Sequence, residues 1–292
     1  MARRAATVYK ADLLLFLAAL VWGTGFVAQR AGMRHVGPMT FNGIRFALGA
    51  LAVLPAALLA RRKGGRAGLR PKALALGGAL AGLMLFVAVS FQQFGIVHTT
   101  AGKAGFITGL YMVFVPFIGY FVGQRARLGS WVGAAVALAG LYLLSVTGPL
   151  RVARGDLLVL VGAVFWAVHI VVLGWLAPRC EPAGLACAQF TACAVLSMVA
   201  ALVSERVRGS EIAAAALPIV YGGVMSVGVG FTLQVAGQRG APPAHAALLL
   251  SLEAVFAAVA GWLLLGEGLT PRGMVGCALI LAGVLVSQLT RR

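Results

Sequence analysis

The residues able to do chemistry in this chain are polar side chains set singly into apolar runs. Gln92 and Gln93 stand in one run, Thr108 and Tyr111 in the next, and Gln234 and Gln238 in a much later one. Trp22 and Trp166 lie deep in theirs, and His169 follows Trp166 at a helical spacing of three. Glu253 is the carboxylate well inside a run, and Arg45 is the comparable base. Hydrocarbon offers no hydrogen-bond partner, so such groups must face other helices or a watery cavity. Their chemistry is recognition rather than bond-making. Amides and hydroxyls bind a polar or zwitterionic solute, and indoles stack on an aromatic or cationic one. A buried carboxylate takes an amine or a coupling proton, and a histidine relays protons near neutral pH. Each has a plainer alternative. Glutamines, Thr108 and Tyr111 also tie helices together, tryptophans pack, His169 rests neutral on a neighbour, and Glu253 serves as a capped structural acid. Arg45 is expected to snorkel toward the nearer headgroups.

No nucleophile–base pair accompanies these residues. The chain contains no HExxH, no GxSxG and no GxxxxGK, so no catalytic residue, metal ligand or cofactor is expected. Cys180, Cys187, Cys193 and Cys277 have neither metal nor redox spacing and read as small packing residues. Transport by a secondary carrier or facilitator fits this inventory, since an ATP-driven pump would need a phosphate-binding loop.

The elements that must position these groups are membrane helices. The chain is 61% hydrophobic and 11% charged, against roughly a quarter charged for soluble domains. Ten apolar runs are long enough to cross a bilayer: 11–29, 39–60, 72–94, 101–123, 129–147, 156–176, 183–203, 213–236, 243–265 and 270–289. Asp12, Asp156, Pro38, Pro182, Pro243 and Pro271 stand at first-turn positions. No cleavable signal peptide is evident, and the first run reads as a spanning helix. The formal net charge of +17 does not point to nucleic acid, because the basic residues fall in short loops between runs. They read as topology signals and contacts for anionic lipid headgroups. Fifteen of the 24 Lys and Arg fall on the side of the N-terminus and eight on the other, with Arg45 inside a run. Much of that bias comes from the cluster between Arg61 and Lys72. Both termini are therefore expected in the cytoplasm of a bacterial-type inner membrane. Residues 90–116 join two runs through a turn of small residues (Thr99, Thr100, Ala101, Gly102, Ala104, Gly105) that carries Lys103. Helices on either side of it are expected to line a central pathway, with Pro116 able to kink the second.

The chain also repeats itself. Asp12-Leu-Leu…Trp22 matches Asp156-Leu-Leu…Trp166, and Pro38…Phe46 matches Pro182…Phe190, both 144 positions apart. Gln92…Gly95 matches Gln234…Gly237 at 142, and Val132-Gly133…Ala139-Gly140 matches Val275-Gly276…Ala282-Gly283 at 143. Five crossings per half make the halves opposite in orientation. Residues 1–148 and 149–292 thus read as two inverted five-helix repeats in an all-α integral membrane fold, the architecture of carriers that rock about a midplane site.

Trp22-Gly-Thr-Gly-Phe-Val-Ala resembles the WG-x-x-F-x-A pattern of the drug/metabolite transporter superfamily. So does Thr99-Thr-Ala-Gly-Lys-Ala-Gly-Phe-Ile-Thr-Gly-Leu…Val115-Pro116, and Glu253 with Gly266-Glu267-Gly-Leu-Thr270 resembles the close of an EamA module. Gly123-Gln124-Arg125 stands where the first unit would carry the Gly-Glu pair. The resemblance implies ten helices and secondary transport of a small organic solute, often outward. The layout is similar to that of the YddG-like exporters of aromatic and other neutral amino acids. It implies helices 1, 3, 4, 6, 8 and 9 around a cavity, with 5 and 10 at the side or at a homodimer interface. Substrate-binding candidates are then Trp22, Gln92, Gln93, Thr108, Tyr111, Trp166, His169, Gln234 and Glu253. The alternatives are a carrier or facilitator of another organic solute or drug, and a channel-like pore lined by the same groups. An intramembrane enzyme lacks its residues here, and a sensor lacks an output domain.

Overall fold

A single span satisfies its backbone in hydrocarbon only by closing its hydrogen bonds internally, as a helix. A computed structural model describes residues 2–62, 71–98, 101–124, 126–146, 153–265 and 270–289. Among these residues the fold is all-α, with ten helices long and apolar enough to cross a membrane. Helices 1 to 3 are Ala2–Gly32, Pro38–Arg62 and Pro71–Val97. Helix 4 comes in two pieces, Ala101–Gly109 and Tyr111–Phe121, and helix 5 is Leu128–Ser145. Helix 6 is Arg154–Leu176 and helix 7 is Pro182–Ser204. Helix 8 runs through Ala216–Val220, a π-helical stretch Tyr221–Phe231, and Thr232–Gln238. Helix 9 is Pro243–Leu250 and then Glu253–Leu265, and helix 10 is Pro271–Leu289. The cluster from Lys63 to Arg70, the Thr99-Thr100 turn, Arg125 and the Gly266-Glu267 pair lie outside the described residues, as does the Lys103 side chain.

Local chemistry sets several helix starts. Proline opens helices 2, 3, 7, 9 and 10, where its missing N–H costs nothing. The Asp156 carboxylate accepts from Ala153 N at 2.8 Å, and Glu181 caps helix 7 by accepting from Ala183 N and Gly184 N at 3.1 and 2.7 Å. Helix 2 has glycine, Gly37, where helix 7 has Glu181. Its cap comes instead from Glu205, just past the end of helix 7. That carboxylate accepts from Met39 N and Thr40 N at 2.8 Å each and from Thr40 Oγ1 at 2.7 Å. At the opposite end of the bundle His245 bridges Asp12 Oδ1 at 3.1 Å and Ser287 Oγ at 3.0 Å, joining helices 9, 1 and 10.

The packing is symmetric under exchange of the halves. Helix 2 packs on 7 and helix 5 on 10. Helix 3 packs on 6 and 7 as helix 8 packs on 1 and 2, and helix 4 meets 6 as helix 9 meets 1. The seam between helices 5 and 10 is glycine against backbone. A Cβ on Gly133 or on Gly140 would stand 2.5 Å from the carbonyl oxygen of Gly283 or Gly276 respectively. Gly133 corresponds to Gly276 and Gly140 to Gly283 in the repeat, so the contacts are crosswise and the two helices run antiparallel. Small residues let helix backbones approach in this way where lipid supplies no hydrophobic drive. Leu76, Phe121, Val203 and Leu217 are among the large apolar side chains exposed on the outer surface, where lipid would meet them.

Helices 4 and 9 were expected to be continuous, apart from a kink at Pro116. Both are broken nearer their middles, at Leu110 and at Ser251-Leu252, and they are partners in the repeat. Pro116 lies inside the second piece of helix 4, beyond the break.

Candidate functional site

The two breaks meet at the centre of the bundle. Tyr111 opens the second piece of helix 4 and Glu253 the second piece of helix 9, and they stand 142 positions apart, the offset that relates Gln92 to Gln234. The Tyr111 hydroxyl donates to Glu253 Oε1 at 3.1 Å. Around this pair lies a cavity of about 520 Å³ of non-atom space, its mouth included. Its wall takes Trp22 and Gln29 from helix 1, Arg45 from helix 2, Gln92 from helix 3, and Thr108 and Tyr111 from helix 4. Helix 6 adds Trp166 and Ile170, helix 8 adds Ser226, Phe231 and Gln234, and helix 9 adds Leu250 and Glu253.

Repeat partners share it. Trp22 with Trp166, Gln92 with Gln234, Thr108 with Leu250, and Tyr111 with Glu253 all line the same space. The cavity therefore sits on the axis that relates the halves. One side is aromatic: the Trp22 ring centre lies 4.6 Å from Phe231, and Trp166 stacks on Phe231 at 5.8 Å with 11° between the planes. Phe46 and Phe190 back Phe231 at 6.0 Å each. An aromatic wall of this kind accepts a flat apolar group against it. The other side is polar. Gln92 Nε2 donates to Thr108 Oγ1 at 3.2 Å, while Gln29 Oε1, Trp166 Nε1 and Gln234 Oε1 have no hydrogen-bond partner among the described residues. Buried polar atoms normally have a partner, so these mark where a solute or water can bind.

The π-helical stretch shapes one wall. Its glycines admit neighbouring helices, since a Cβ on Gly223 would meet Leu48 at 2.7 Å and one on Gly230 would meet the Trp22 indole nitrogen at 2.5 Å. The Ser226 carbonyl accepts from Trp22 Nε1 at 3.0 Å, which fixes that ring. Single-turn π bulges often mark functional sites, and this longer one carries Ser226 and Phe231 to the cavity.

Seven of the expected binding residues thus line one space: Trp22, Gln92, Thr108, Tyr111, Trp166, Gln234 and Glu253. Gln93 and His169 do not. Gln93 is fully buried away from the cavity, and its amide has no partner among the described residues. His169 is also fully buried, with Nε2 2.9 Å from Gln189 Oε1, so it ties helix 6 to helix 7. Gln238 is likewise a tie, donating from Nε2 to the Ile170 carbonyl at 2.8 Å.

Arg45 corrects the expectation of snorkelling. It is 2% exposed and lines the cavity, with Nε donating to Asn42 Oδ1 at 3.1 Å and its guanidinium carbon 5.3 and 5.1 Å from the Phe41 and Phe46 ring centres. These neighbours hold the head inward, where a free stem would have reached a headgroup. Helix 2 therefore joins the cavity helices. Gln29, Ser226 and Phe231 carried no signal of their own. Gln29 ends a run, Ser226 sits among glycines, and Phe231 is one of fifteen phenylalanines.

The EamA-like transporter family model matches residues 9–146 and 153–289. An "uncharacterized transporter" of Archaeoglobus fulgidus is 31% identical over 280 residues, 96% of this chain and 86% of that protein. A "probable terminal-alkyne amino-acid exporter" of Streptantibioticus cattleyicolor is 29% identical over 283 residues, covering 95% of this chain and 93% of that one. A solved crystal structure with 23% identity superposes with a TM-score of 0.78 over 96% of both chains, a likeness of fold. With ten spans, breaks paired across its halves and a central cavity between them, the chain belongs to the EamA-like transporter family.

Proposed function

We propose that the protein is a secondary carrier that exports small metabolites, neutral and aromatic amino acids first among them, by alternating access. Residues 1–148 and 149–292 act as the two units that move against each other. Both termini face the cytoplasm of the inner membrane, as the Lys and Arg bias suggests. The observation that carries the reading is the cavity itself, which combines an aromatic wall with the Tyr111–Glu253 pair where the repeat partners converge. Broken helices around a midplane cavity suit a carrier. Glu253 keeps an oxygen beyond its bond to Tyr111, suited to an ammonium group, and the stacked rings suit a flat side chain. The relative named as an amino-acid exporter is consistent with this chemistry.

Each end of the bundle has a fastening between the halves. Glu205 holds the start of helix 2 at one end, and Asp12–His245 joins helix 1 to helix 9 at the other. Opening one while the other stays closed is what alternating access requires.

The test is uptake of labelled neutral amino acids, aromatic members included, into liposomes holding the purified protein, with and without a pH gradient. Saturable uptake with counterflow is expected. Uptake that never saturates indicates a channel-like pore. No uptake for any member sinks the amino-acid reading and directs the search to other organic solutes or drugs. Dependence on the gradient decides between proton exchange and facilitation.

A further inference from the structure

Among the described residues, Arg45 is the cation of the cavity wall and Glu253 is its carboxylate. The two do not pair, because no carboxylate of a described residue lies within 4.0 Å of the guanidinium. A buried guanidinium without a counter-ion is costly, and such groups inside a membrane mark function. What Arg45 does have orients it without neutralising it. Asn42 engages Nε, and the rings of Phe41 and Phe46 lie beside the guanidinium. One donor of the planar fork, Nε, has a partner among the described residues, and a carboxylate takes two donors of such a fork in parallel.

The repeat adds a second argument. The partner of Arg45 is Gln189, fully buried, bonded to His169 and outside the cavity. Structural roles in the paired helices 2 and 7 are thus met on one side by an uncharged amide. The positive charge of the other half is surplus to packing and stands where a solute would lie.

We propose that Arg45 is the carboxylate anchor of the cavity, so that the protein selects solutes bearing a free carboxylate. This deepens the amino-acid reading and rests on the same cavity. A carboxylate at Arg45, an ammonium at Glu253 and a side chain against the Trp22–Phe231–Trp166 cluster would place an aromatic amino acid by three different chemistries. An amine of the same shape lacks the first of these.

The test uses the full-length protein in liposomes and three probes: L-phenylalanine, 3-phenylpropionate and phenethylamine. Binding is read from tryptophan fluorescence, since Trp22 and Trp166 line the cavity, and transport from labelled uptake. Wild type is expected to bind L-phenylalanine at least about 30-fold more tightly than phenethylamine, which keeps the contact to Glu253 but has no carboxylate for Arg45. Arg45→Gln should weaken both carboxylates about 100-fold and leave the amine unchanged. Arg45→Lys keeps the charge but loses the fork, and should weaken them about 10-fold. If Arg45→Gln fails to reconstitute, Arg45→Lys decides by the same ratio. Equal binding of phenethylamine and L-phenylalanine to wild type overturns the proposal, as does undiminished carboxylate binding in the variants. Binding of 3-phenylpropionate but not L-phenylalanine, lost on changing Arg45, keeps the anchor and refutes the amino-acid reading. L-Phenylalanine transport indifferent to Arg45 does the reverse. Failure of both carboxylates to bind wild type refutes both readings.

Discussion

The cap on helix 2 gives a prediction whose size follows from the structure. In helix 7 the N-cap acid is local, but in helix 2 that position is Gly37 and the acid comes from Glu205 across the interface. Glu205 replaces two backbone donors' solvent and also holds the Thr40 hydroxyl. Losing an N-cap acceptor costs about 1 kcal/mol, and losing an anion from a helix N-terminus costs about 0.5 kcal/mol more. The charged bond to the hydroxyl contributes about 1 kcal/mol. Glu205→Ala should therefore destabilise by about 2–3 kcal/mol, and Glu181→Ala by about 1 kcal/mol. Glycine at 37 is explained by the same contact, because a Cβ there would run into the Glu205 carboxylate. Gly37→Ala should thus cost about 2 kcal/mol by expelling the cap, yet almost nothing in the Glu205→Ala background. The assay is thermal unfolding of purified protein in detergent, followed by labelling of the buried thiols of Cys180 and Cys193. Additive losses in the double variant, or a neutral Glu205→Ala, would refute the cross-capping argument.

Other consequences are more direct. Tyr111→Phe removes the donor to Glu253 and should lower uptake about 10-fold, whereas Glu253→Gln keeps an acceptor for that hydroxyl but loses the charge suited to an ammonium group, and should lower uptake further, about 100-fold. Gly140→Leu should leave no foldable protein in membrane extracts, since its side chain would enter the backbone of helix 10, whereas Gly105→Ala meets open space and should give wild-type yield and melting temperature. Phe231→Ala removes the ring that Trp22 and Trp166 share, so the melting temperature should fall with a loss of about 3–5 kcal/mol, and aromatic probes should lose more affinity than aliphatic ones.

Much of this was legible because contrast carries information in a membrane chain. A glutamine or glutamate in a run of Leu, Val and Ala is conspicuous, and Gln92, Gln234, Tyr111 and Glu253 proved to face one cavity. What contrast cannot supply is direction. Gln92 and Gln93 are equally polar, but adjacent helical residues point about 100° apart, and only one of them reaches the cavity. Arg45 failed for the same reason. Its distance from the helix start, about 10 Å, allows a long stem to reach a headgroup, and only the placement of Asn42, Phe41 and Phe46 turns it inward. The π-helical stretch in helix 8 left no trace beyond its glycines, since its geometry is settled by how helices 1 and 2 pack against it. The breaks in helices 4 and 9 were hidden because neither Leu110 nor Ser251-Leu252 is a helix breaker.

Symmetry then separates two kinds of residue in the cavity wall. Trp22 with Trp166, Gln92 with Gln234 and Tyr111 with Glu253 are partners in the repeat, and both members of each pair line the cavity on the axis. In the proposed alternating-access cycle, positions on such an axis keep their environment when the halves exchange conformations, so paired residues would hold a solute in both states. Arg45, Gln29, Ser226 and Phe231 have no partner lining the cavity. Whatever they contact is held from one side only, and a solute with distinct ends must lie in one orientation. A carrier for a symmetric or featureless solute has no use for that asymmetry. A wall with one cation, one carboxylate and a phenyl ring between two indoles suits the proposed solute, whose ends differ in charge and whose body is flat.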